Sequence, residues 1–412
     1  MSGPRQLRAD VCIAGGGPAG VMLGVLLARA GVDVVVLEKH DDFFRDFRGD
    51  TVHPSTLSLI DDLGLRARFD AIPHKPLPRL DAVLNGIRVH AIDFTTLPPP
   101  HRFVTLMPQG DLLDMLAAAG RRHPSFRMEM GAEVTDVVRV RGRVRGVRAR
   151  TADGGLVVEA ALTVAADGRA SATRGALGLA PRSYGVPADV LWFRVPAPPT
   201  PLPDTLAWAS AEGLVVTIPR PGYLQCGMVI PKGTADAVRA GGIDAFRARV
   251  ARAVPRLRDE VGGIASLDDV KLLSVQIDRL RTWHVPGALC IGDAAHAMSP
   301  VFGVGINYAV QDAVAAANVL VPAFRAGGDP VRLDRACRAV QRRRALPTRM
   351  MQRLQRVVHR VFASGRGIDL LHDPPTRGER IALRVAVPIV RRLGARLIGY
   401  GFRPETLRGA NR

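Results

Sequence analysis

The stretch VCIAGGGPAGVMLGVLLARAGVDVVVLEKH, residues 11–40, decides the fold of this 412-residue chain. Two apolar runs flank a glycine cluster and a segment with helical spacing. The stretch therefore predicts a strand, a helix from Pro18 to about Arg29, and a second strand. Because both strands are apolar throughout, helices are expected to cover both faces of a parallel sheet. The stretch is thus a βαβ unit whose glycines lie at the turn from strand to helix.

The three glycines of this turn indicate a dinucleotide site. Gly15, Gly17 and Gly20 have the spacing GxGxxG in the context that such a site requires. The first glycine permits the tight turn, the second lets a pyrophosphate approach the backbone, and the third lets the helix pack on the strand. Free N–H groups at the helix start favour the phosphate charge. A glycine-rich turn without a ligand is the alternative.

The acid at the end of the second strand narrows the choice of nucleotide. Glu38 lies about 20 residues beyond the glycines, where a carboxylate accepts hydrogen bonds from a ribose diol. A 2′-phosphate on that ribose would meet the carboxylate. The sequence therefore predicts that the tightly bound nucleotide is FAD or NAD rather than NADP.

Charge is concentrated at one end of the chain. The net charge is +19, and residues 331–412, with twenty arginines, no lysine and five acids, supply +15 of it. No recognition motif or stacking platform accompanies this charge, so nucleic-acid binding is not predicted. For the apolar, arginine-interleaved run 381–402, packing against the body of the protein is favoured over weak contact with anionic membranes.

Targeting, membrane and metal signals are not found in the sequence. There is no apolar run of about 18 residues or more, so no transmembrane helix is predicted. The N-terminus has no secretory signal, which favours a cytoplasmic protein. The four cysteines are far apart and predict neither a disulfide framework nor a metal site.

Two further motifs end predicted strands. VAADGRASATR (164–174) places a DG pair at a strand end, followed by a serine and an arginine. ALCIGDAAHAMSPVFGVGINYAVQDA (288–313) places a GD pair at a strand end, and its later glycines open a helix. A carboxylate at a strand end can bind the hydroxyls of a sugar-alcohol chain. N–H groups at a helix start can face the electron-rich edge of a ring.

Together the three motifs resemble those of the single-component FAD-dependent aromatic hydroxylases, the family of para-hydroxybenzoate hydroxylase. They occur in that family's order, and the resemblance runs from about residue 8 to 330. It implies a flavoprotein monooxygenase with tightly bound FAD, which uses NADPH or NADH and O2 to hydroxylate an aromatic or polyketide-like molecule through a flavin C4a-hydroperoxide. An epoxidase and an isoprenoid double-bond reductase of the same fold stay open. The WxWxIP signature of halogenases does not occur in the sequence.

The resemblance also assigns roles to residues. Arg48 matches the arginine near the cofactor phosphates, Gln109 matches the glutamine beside the flavin side chain, and Asp293 would bind the ribityl chain. Asp167 would order the FAD site and the approach of the nicotinamide, and Pro300 would lie against the flavin. Plainer alternatives are a surface ion pair for Arg48, a helix start for Gln109 and a turn cap for Asp167. The implied cofactor-binding set is Gly15, Gly17, Pro18, Ala19, Gly20, Glu38, Lys39, Arg48, Gln109, Asp167, Gly292, Asp293, Pro300, Gly303, Val304, Gly305, Ile306 and Asn307.

The substrate is expected between an inserted sheet and the flavin. Trp192 and Arg194 share one face of a strand and Phe193 takes the other, but which face lines the cavity stays open. Many apolar groups and few charges favour a bulky, weakly charged substrate. No residue is assigned to catalysis, and structural roles are favoured for His53 and His296. The candidate lining residues are Trp192, Arg194, Trp208, Thr217, Tyr223, Gln225 and Met228.

The predicted fold class is α/β, with a Rossmann-like FAD-binding domain, an inserted antiparallel β-sheet substrate domain and a C-terminal helical tail. A turn at Asn85-Gly86 joins two strands that belong with the inserted sheet. A monomer or homodimer is expected, with no metal. The predicted boundaries are 1–78, 103–178 and 276–330 for the FAD-binding domain, 79–102 for the joining strands, 179–275 for the substrate domain and 331–412 for the basic helical region.

Overall fold

A computed structural model describes residues 4–44, 51–200, 202, 205–363 and 377–409 of the chain. Two large sheets and a layer of helices make up this part of the molecule. Its strands are β1 (Arg5–Ala14), β2 (Val34–Leu37), β3 (Thr51–Val52), β4 (Lys75–Leu77), β5 (Arg79–Leu84), β6 (Ile87–Asp93), β7 (Val104–Leu106), β8 (Phe126–Glu129), β9 (Glu133–Val140), β10 (Arg143–Thr151), β11 (Gly154–Ala165), β12 (Arg182–Ser183), β13 (Ala188–Pro196), β14 (Thr205–Ser210), β15 (Gly213–Arg220), β16 (Tyr223–Pro231), β17 (Lys271–Leu273), β18 (Asp278–Arg279), β19 (His284–Val285) and β20 (Ala288–Cys290). Its helices are α1 (Pro18–Arg29), α2 (Pro54–Asp62), α3 (Arg66–Asp70), α4 (Gln109–Gly120), α5 (Ala172–Ala176), α6 (Ala235–Ala240), α7 (Gly242–Ala253), α8 (Gly305–Arg325), α9 (Pro330–Ala363) and α10 (Arg377–Tyr400).

The first sheet brings the three sequence motifs to one edge. Its strand order is β19-β20-β11-β1-β2-β8, and β10 and β9 extend it from β11. β1 is parallel to both β2 and β11, and β11 is parallel to β20. The carboxyl ends of these four strands therefore lie side by side. Ligands of open parallel sheets bind at such an edge, where the strand order changes direction.

The second sheet has the order β17-β13-β16-β15-β14-β5-β6. The predicted antiparallel pairing of the inserted strands is confirmed for β17, β13, β16, β15 and β14, whereas β14 pairs in parallel with β5 of the earlier segment. β5 and β6 form a hairpin from an earlier part of the chain, with Asn85 at φ 48° and Gly86 at φ 83° in its turn. No tight turn connects β5 to β14, so nothing forces these two strands to run in opposite directions.

The C-terminal helices cover the junction of the two sheets. α9 packs along α8, and α10 packs across β6. Ala395 and Ile398 of α10 are buried, which places this part of the apolar run against the body of the protein. In the described residues, one helical span, Val301–Arg325, is long and apolar enough to cross a membrane, but 89% of its most apolar window is buried inside the protein. It is a core helix.

Candidate active site

The glycine turn after β1 is crowded at Gly15 and Gly20 and leaves free space at Gly17. Gly15 has φ +106°, and a Cβ on it would lie 2.4 Å from the carbonyl oxygen of Ala166. A Cβ on Gly20 would lie 1.9 Å from the carbonyl oxygen of Gly15. Gly17 precedes Pro18 at the start of α1, and a Cβ there would meet no atom within 4 Å. Space is therefore left in front of Gly17, where the N-terminus of α1 favours an anion.

Glu38 is fixed beside this turn. Its carboxylate is buried, and it accepts hydrogen bonds from the N–H groups of Gly16 at 2.8 Å and His40 at 3.2 Å. These bonds tie the end of β2 to the glycine turn, although 22 residues separate Glu38 from Gly16. Lys39, the next residue, is exposed.

The DG motif after β11 braces the loop after β20. Asp167 accepts hydrogen bonds from the hydroxyl of Ser171 and, at 3.0 Å, from the N–H of Thr173, so it caps the start of α5. The guanidinium of Arg174 is buried and donates to the carbonyl oxygen of Ala294 at 3.2 Å. The serine and the arginine of the motif therefore have structural roles, and Asp167 fixes the start of α5.

The GD motif after β20 contacts both other motifs. Gly292 has φ +58°, and a Cβ on it would lie 3.0 Å from the Cβ of Ala19 in α1. The carboxylate of Asp293 forms an ion pair with Arg169 of the DG motif, with 3.4 Å between Nε and Oδ2. The three motifs therefore form one continuous surface at the edge of the sheet.

The segment 300–307 joins this edge to α8 through a strained turn. Phe302 and Gly303 have φ values of +70° and +64°, and the left-handed region costs a non-glycine residue roughly 1–2 kcal/mol. The carbonyl oxygen of Phe302 accepts a hydrogen bond from Nε2 of the buried His53 at 3.3 Å. A Cβ on Gly303 would lie 2.7 Å from the hydroxyl of Thr51. Backbone strain that surrounding contacts hold in place is typical of ligand-binding loops.

Asn307, in the first turn of α8, presents a buried donor without a partner. Its Oδ1 accepts hydrogen bonds from the hydroxyls of Ser55 at 2.5 Å and Thr56 at 3.2 Å. Its Nδ2 has no hydrogen-bond partner among the described residues, although the side chain is fully buried. Such a group costs roughly 1–3 kcal/mol unless an acceptor reaches it. Protein atoms cover this N–H group, so the amide of Asn307 fixes the start of α8 against α2 through its Oδ1.

A buried ion triad supports the GD motif from behind. Oδ2 of Asp312 lies 2.5 Å from Nε2 of His296 and accepts the N–H of Gly292 at 3.0 Å, while its Oδ1 accepts from Nε of Arg344 at 2.8 Å. Burial alone would raise the pKa of Asp312, but His296 and Arg344 hold it below its ordinary value. His296 also stacks on Trp283 with ring centroids 4.9 Å apart. Its role is structural.

Helix α9 holds the backbone at the start of the strained turn. Gln355 accepts the N–H of Ser299 at 3.2 Å and donates to the carbonyl oxygens of Ser299 at 2.9 Å and Val301 at 3.0 Å. Nε2 of His359 lies 2.6 Å from the hydroxyl of Ser299. Sequence reasoning missed these residues, because it interpreted α9 by its charge alone. The signal was the run of Gln, Thr and His at three- and four-residue spacing in residues 341–359.

Replacement of Gln355 by leucine is expected to change the flavin environment. The variant leaves three buried backbone groups unpaired, which costs about 3 kcal/mol at roughly 1 kcal/mol for each bond. We expect a shifted flavin absorption spectrum and weaker retention of FAD. Gln341→Leu is the matched control, because Gln341 bonds the backbone of Trp283 and Arg281 away from the turn. Equal spectra for the two variants would contradict the positioning role.

The pH dependence of the free energy of unfolding tests whether the pKa of His53 is lowered in the folded protein. Burial lowers the pKa of His53 from 6.5 to about 4. Because the folded pKa lies below the unfolded one, the stabilisation is complete above pH 6.5 and is lost as the pH falls towards 4. At 1.4 kcal/mol per pH unit, the loss across this window is about 3 kcal/mol. His53→Gln keeps an N–H donor for Phe302 but does not titrate. Denaturant unfolding at pH 8 and pH 4.5 is expected to show a smaller decline for the variant, and parallel declines would contradict the assignment.

The second sheet offers one face to the site. Along β13, Trp192 packs towards the cluster that contains Phe302 and Val304, whereas Phe193 packs on the opposite face with Phe246 of α7. Arg194, Tyr223 and Gln225 belong to the Trp192 face by strand alternation and register. The guanidinium carbon of Arg194 lies 5.1 Å from the centroid of the Tyr223 ring.

The seven candidate lining residues lie on two faces of the second sheet, and three of them, Trp208, Thr217 and Met228, are on the face opposite Trp192. Trp208 and Met228 are buried in the cluster under α7, and Nε1 of Trp208 donates to the hydroxyl of Thr217 at 3.1 Å on that same face. The period-two alternation of each strand was clear from the sequence. The register that relates one strand's faces to those of its neighbours was not.

The remaining predicted site residues lie as follows. Gln109 is the first residue of α4, half-buried, and Pro300 is exposed at the start of the strained turn. Val304 and Ile306 are buried beside Gly305, where a Cβ would meet no atom within 4 Å. Arg48 lies outside the described residues. The structure brings together at one edge Gly15, Gly17, Pro18, Ala19, Gly20, Glu38, Asp167, Gly292 and Asp293.

A glycine turn and a strand-end acid at the carboxyl edge of a parallel sheet define a dinucleotide-binding protein. The chain belongs to the FAD binding domain family, which matches residues 8–354. It is 33% identical to 6-methylpretetramide 4-monooxygenase of Streptomyces rimosus over 407 residues, which cover 97% of this chain and 93% of that enzyme. The predicted family, α/β fold class and FAD cofactor are confirmed, and the protein is a flavoprotein monooxygenase.

More distant relatives show how far the fold extends. A 1H-pyrrole-2-carbonyl–peptidyl-carrier-protein brominase of Pseudoalteromonas luteoviolacea is 24% identical over 330 residues, which cover 76% of this chain and 78% of that enzyme. The structure of PqsL from Pseudomonas aeruginosa has a TM-score of 0.74 at 23% identity, covering 86% of this chain and 96% of that one. Because a brominase is among the relatives, the fold alone does not decide the reaction.

Proposed function

We propose that this enzyme hydroxylates a fused-ring, phenolic polyketide with FAD, O2 and NADPH or NADH. The observation that carries the substrate class is the similarity over nearly the whole chain to an enzyme named for a pretetramide substrate. The apolar Trp192 face of the second sheet supports it, because this face and the segment 300–307 bring apolar side chains to one cluster, which suits a flat, weakly charged molecule.

In this proposal, residues of the chain bind FAD and orient the substrate. The open backbone at Gly17 and the start of α1 face the pyrophosphate, and Glu38 binds the adenosine ribose. Asp293 binds the ribityl chain. The backbone N–H groups from Gly303 to Asn307 face the pyrimidine edge of the flavin.

FAD, when bound, supplies the redox and oxygen chemistry. The protein side excludes water, since the Trp192 face and the turn at Phe302 form one apolar cluster. The buried Gln225 donates to the carbonyl oxygen of Phe193 at 2.9 Å, and the Arg194–Tyr223 pair on the same face orients the substrate above the turn. No described residue of this face is placed to act as a general base, so deprotonation of a phenol depends on the substrate's own acidity.

Oxygen and NADPH consumption by the FAD-loaded protein, with and without a panel of phenolic polyketides, tests the proposal. Substrate-stimulated uptake of both reagents and a product heavier by one oxygen are expected. NADPH consumption without oxygen uptake would indicate a reductase, and an epoxide product an epoxidase. Either result would contradict hydroxylation.

We also propose that the protein is cytoplasmic and that it is a monomer or a homodimer. Light scattering tests the oligomeric state directly. Weak membrane contact is confined in this proposal to the side of α10 that exposes Ile389 and Leu393. Flotation with anionic vesicles, compared between the parent and Ile389→Asn, measures that contribution.

A further inference from the structure

Several arginines surround Tyr184 where the second sheet meets α9. The guanidinium carbons of Arg182, Arg279 and Arg356 lie 5.6, 4.7 and 5.5 Å from the centroid of the Tyr184 ring. Two more arginines on α9 lie close enough for their charges to act on Arg279. The arginine cluster is defined as Arg182, Arg279, Arg349, Arg353 and Arg356.

The cluster is assembled by the fold and not by one run of sequence. Arg349, Arg353 and Arg356 are spaced by four and three residues, so they share one face of α9. Arg182 and Arg279 pair across the two-stranded sheet of β12 and β18. Three positive charges from three elements therefore surround one aromatic ring, and two more lie close to Arg279.

Arg279, at the centre of the cluster, is held firmly. It donates to the hydroxyl of Tyr184 and to Oε1 of Gln352, each at 2.6 Å. Partial burial, together with the charges of Arg349, Arg353 and Arg182, lowers its pKa. The position of Arg279 is thus set by hydrogen bonds to neutral groups.

The cluster has no acidic partner in the described part of the chain. Other arginines of α9 do: Arg332 pairs with Asp329, Arg343 with Glu405 and Arg344 with Asp312. None of the five cluster arginines forms an ion pair with a described carboxylate. Like charges at this density repel unless an anion binds between them. Arginine forks match the oxygens of a phosphate group.

The cluster is linked to the flavin segment by two hydrogen bonds. Gln352, which accepts from Arg279, donates to the carbonyl oxygen of Ala297 at 2.9 Å. Ala297 lies between the GD motif and Pro300. The position of the cluster is thus coupled, through the backbone of Ala297, to the segment that leads into the strained turn.

The reductant is the anion that the reaction requires. The sequence has one GxGxxG fingerprint, and the turn that carries it belongs to FAD. NADPH and NADH bring a pyrophosphate, and NADPH brings a 2′-phosphate as well. We propose that the arginine cluster binds the phosphates of the nicotinamide reductant and favours NADPH over NADH. This inference rests on the proposed function.

Direct titration tests the cluster without turnover. The probe is 2′,5′-ADP, which carries the 2′- and 5′-phosphates of NADPH, titrated by calorimetry into the FAD-loaded protein. The double variant Arg349→Gln/Arg353→Gln is expected to raise its Kd by about tenfold. Both side chains are exposed, so the fold is expected to tolerate the change.

A second double variant provides the matched control. Arg335→Gln/Arg338→Gln removes two exposed charges from the same helix, about 21 Å away at 1.5 Å per residue. Its Kd for 2′,5′-ADP is expected to stay within twofold of the parent. Equal Kd values for the two double variants would overturn the proposal.

Further measurements distinguish binding of the nucleotide from binding of other phosphates. In steady-state assays, the Arg349→Gln/Arg353→Gln variant is expected to raise KM about tenfold for NADPH and less for NADH, with kcat unchanged. Inorganic phosphate is expected to bind the parent more weakly than 2′,5′-ADP by at least about tenfold. Equal affinity for the two would assign the cluster to free phosphate and overturn the nucleotide proposal. A failed hydroxylation assay with an intact titration would contradict only the proposed function.

Discussion

Gly20→Ala is expected to yield a protein that does not retain FAD and that unfolds at a lower temperature than the parent. The new methyl carbon would lie 1.9 Å from the carbonyl oxygen of Gly15, so α1 must move away from β1. Overpacking in a rigid core costs roughly 1–3 kcal/mol, and a backbone obstacle places this site at the upper end. Flavin absorbance per mole of purified protein and the thermal midpoint measure the two effects.

Gly17→Ala separates the fold from the ligand. A Cβ on Gly17 meets no atom within 4 Å, and its φ of −74° suits any residue. The thermal midpoint of the FAD-free protein is therefore expected to match that of the parent. The methyl group nevertheless projects into the space assigned to the pyrophosphate, and we expect FAD to bind at least about tenfold more weakly. A Gly17→Ala protein with parental affinity would show that the phosphates do not approach this backbone.

Asp312→Ala is expected to cost about 3–5 kcal/mol of stability. The change leaves Arg344 and His296 buried beside an absent partner, and uncompensated buried charge is what makes the loss large. It also removes the acceptor for the N–H of Gly292 in the GD motif. Denaturant unfolding of the FAD-free proteins measures the loss, and flavin retention reports on the motif.

Asp334→Ala is the matched control for the triad. Asp334 pairs with Arg143 at 2.8 Å from the same helix α9 as Arg344, but both side chains of that pair touch solvent. Asp334 also accepts the N–H of Gly287 at 3.1 Å, and its loss is expected to cost about 1–3 kcal/mol, less than that of Asp312. Comparable losses for the two variants would contradict the buried triad as a main support of the site.

The loss of stability at acidic pH provides a second test of the triad of Asp312, His296 and Arg344. The pKa of Asp312 in the folded protein lies below its ordinary value, because His296 and Arg344 outweigh the effect of burial. Its stabilisation is therefore complete above the unfolded pKa of 3.8 and is lost as the pH falls through the folded value. The parent is expected to lose stability below that pH more steeply than Asp312→Ala. Equal slopes for the two proteins would contradict this titration.

The sequence by itself determined the βαβ unit, the FAD class and the order of the three motifs. These features depend on local rules. Apolar runs indicate buried strands, and the bounds Pro18–Arg29 of α1 follow from the glycines and the proline at its start. Part of the glycine spacing is set by a contact within one turn, that between Gly20 and Gly15, whereas Gly15 also meets the backbone of Ala166, just after β11.

Only the tertiary structure decided which side chains meet across the site. Register between strands placed Trp208 and Thr217 away from Trp192, although all three alternate regularly along their own strands. The packing of α9 brought Gln355 to Ser299 across 56 residues of sequence. It also brought the α9 arginines to Tyr184, and Arg344 to Asp312. The local periodicity of a sequence predicts which face of a helix or strand is buried. The element that packs against that face depends on contacts between residues far apart in the sequence, which local patterns do not reveal.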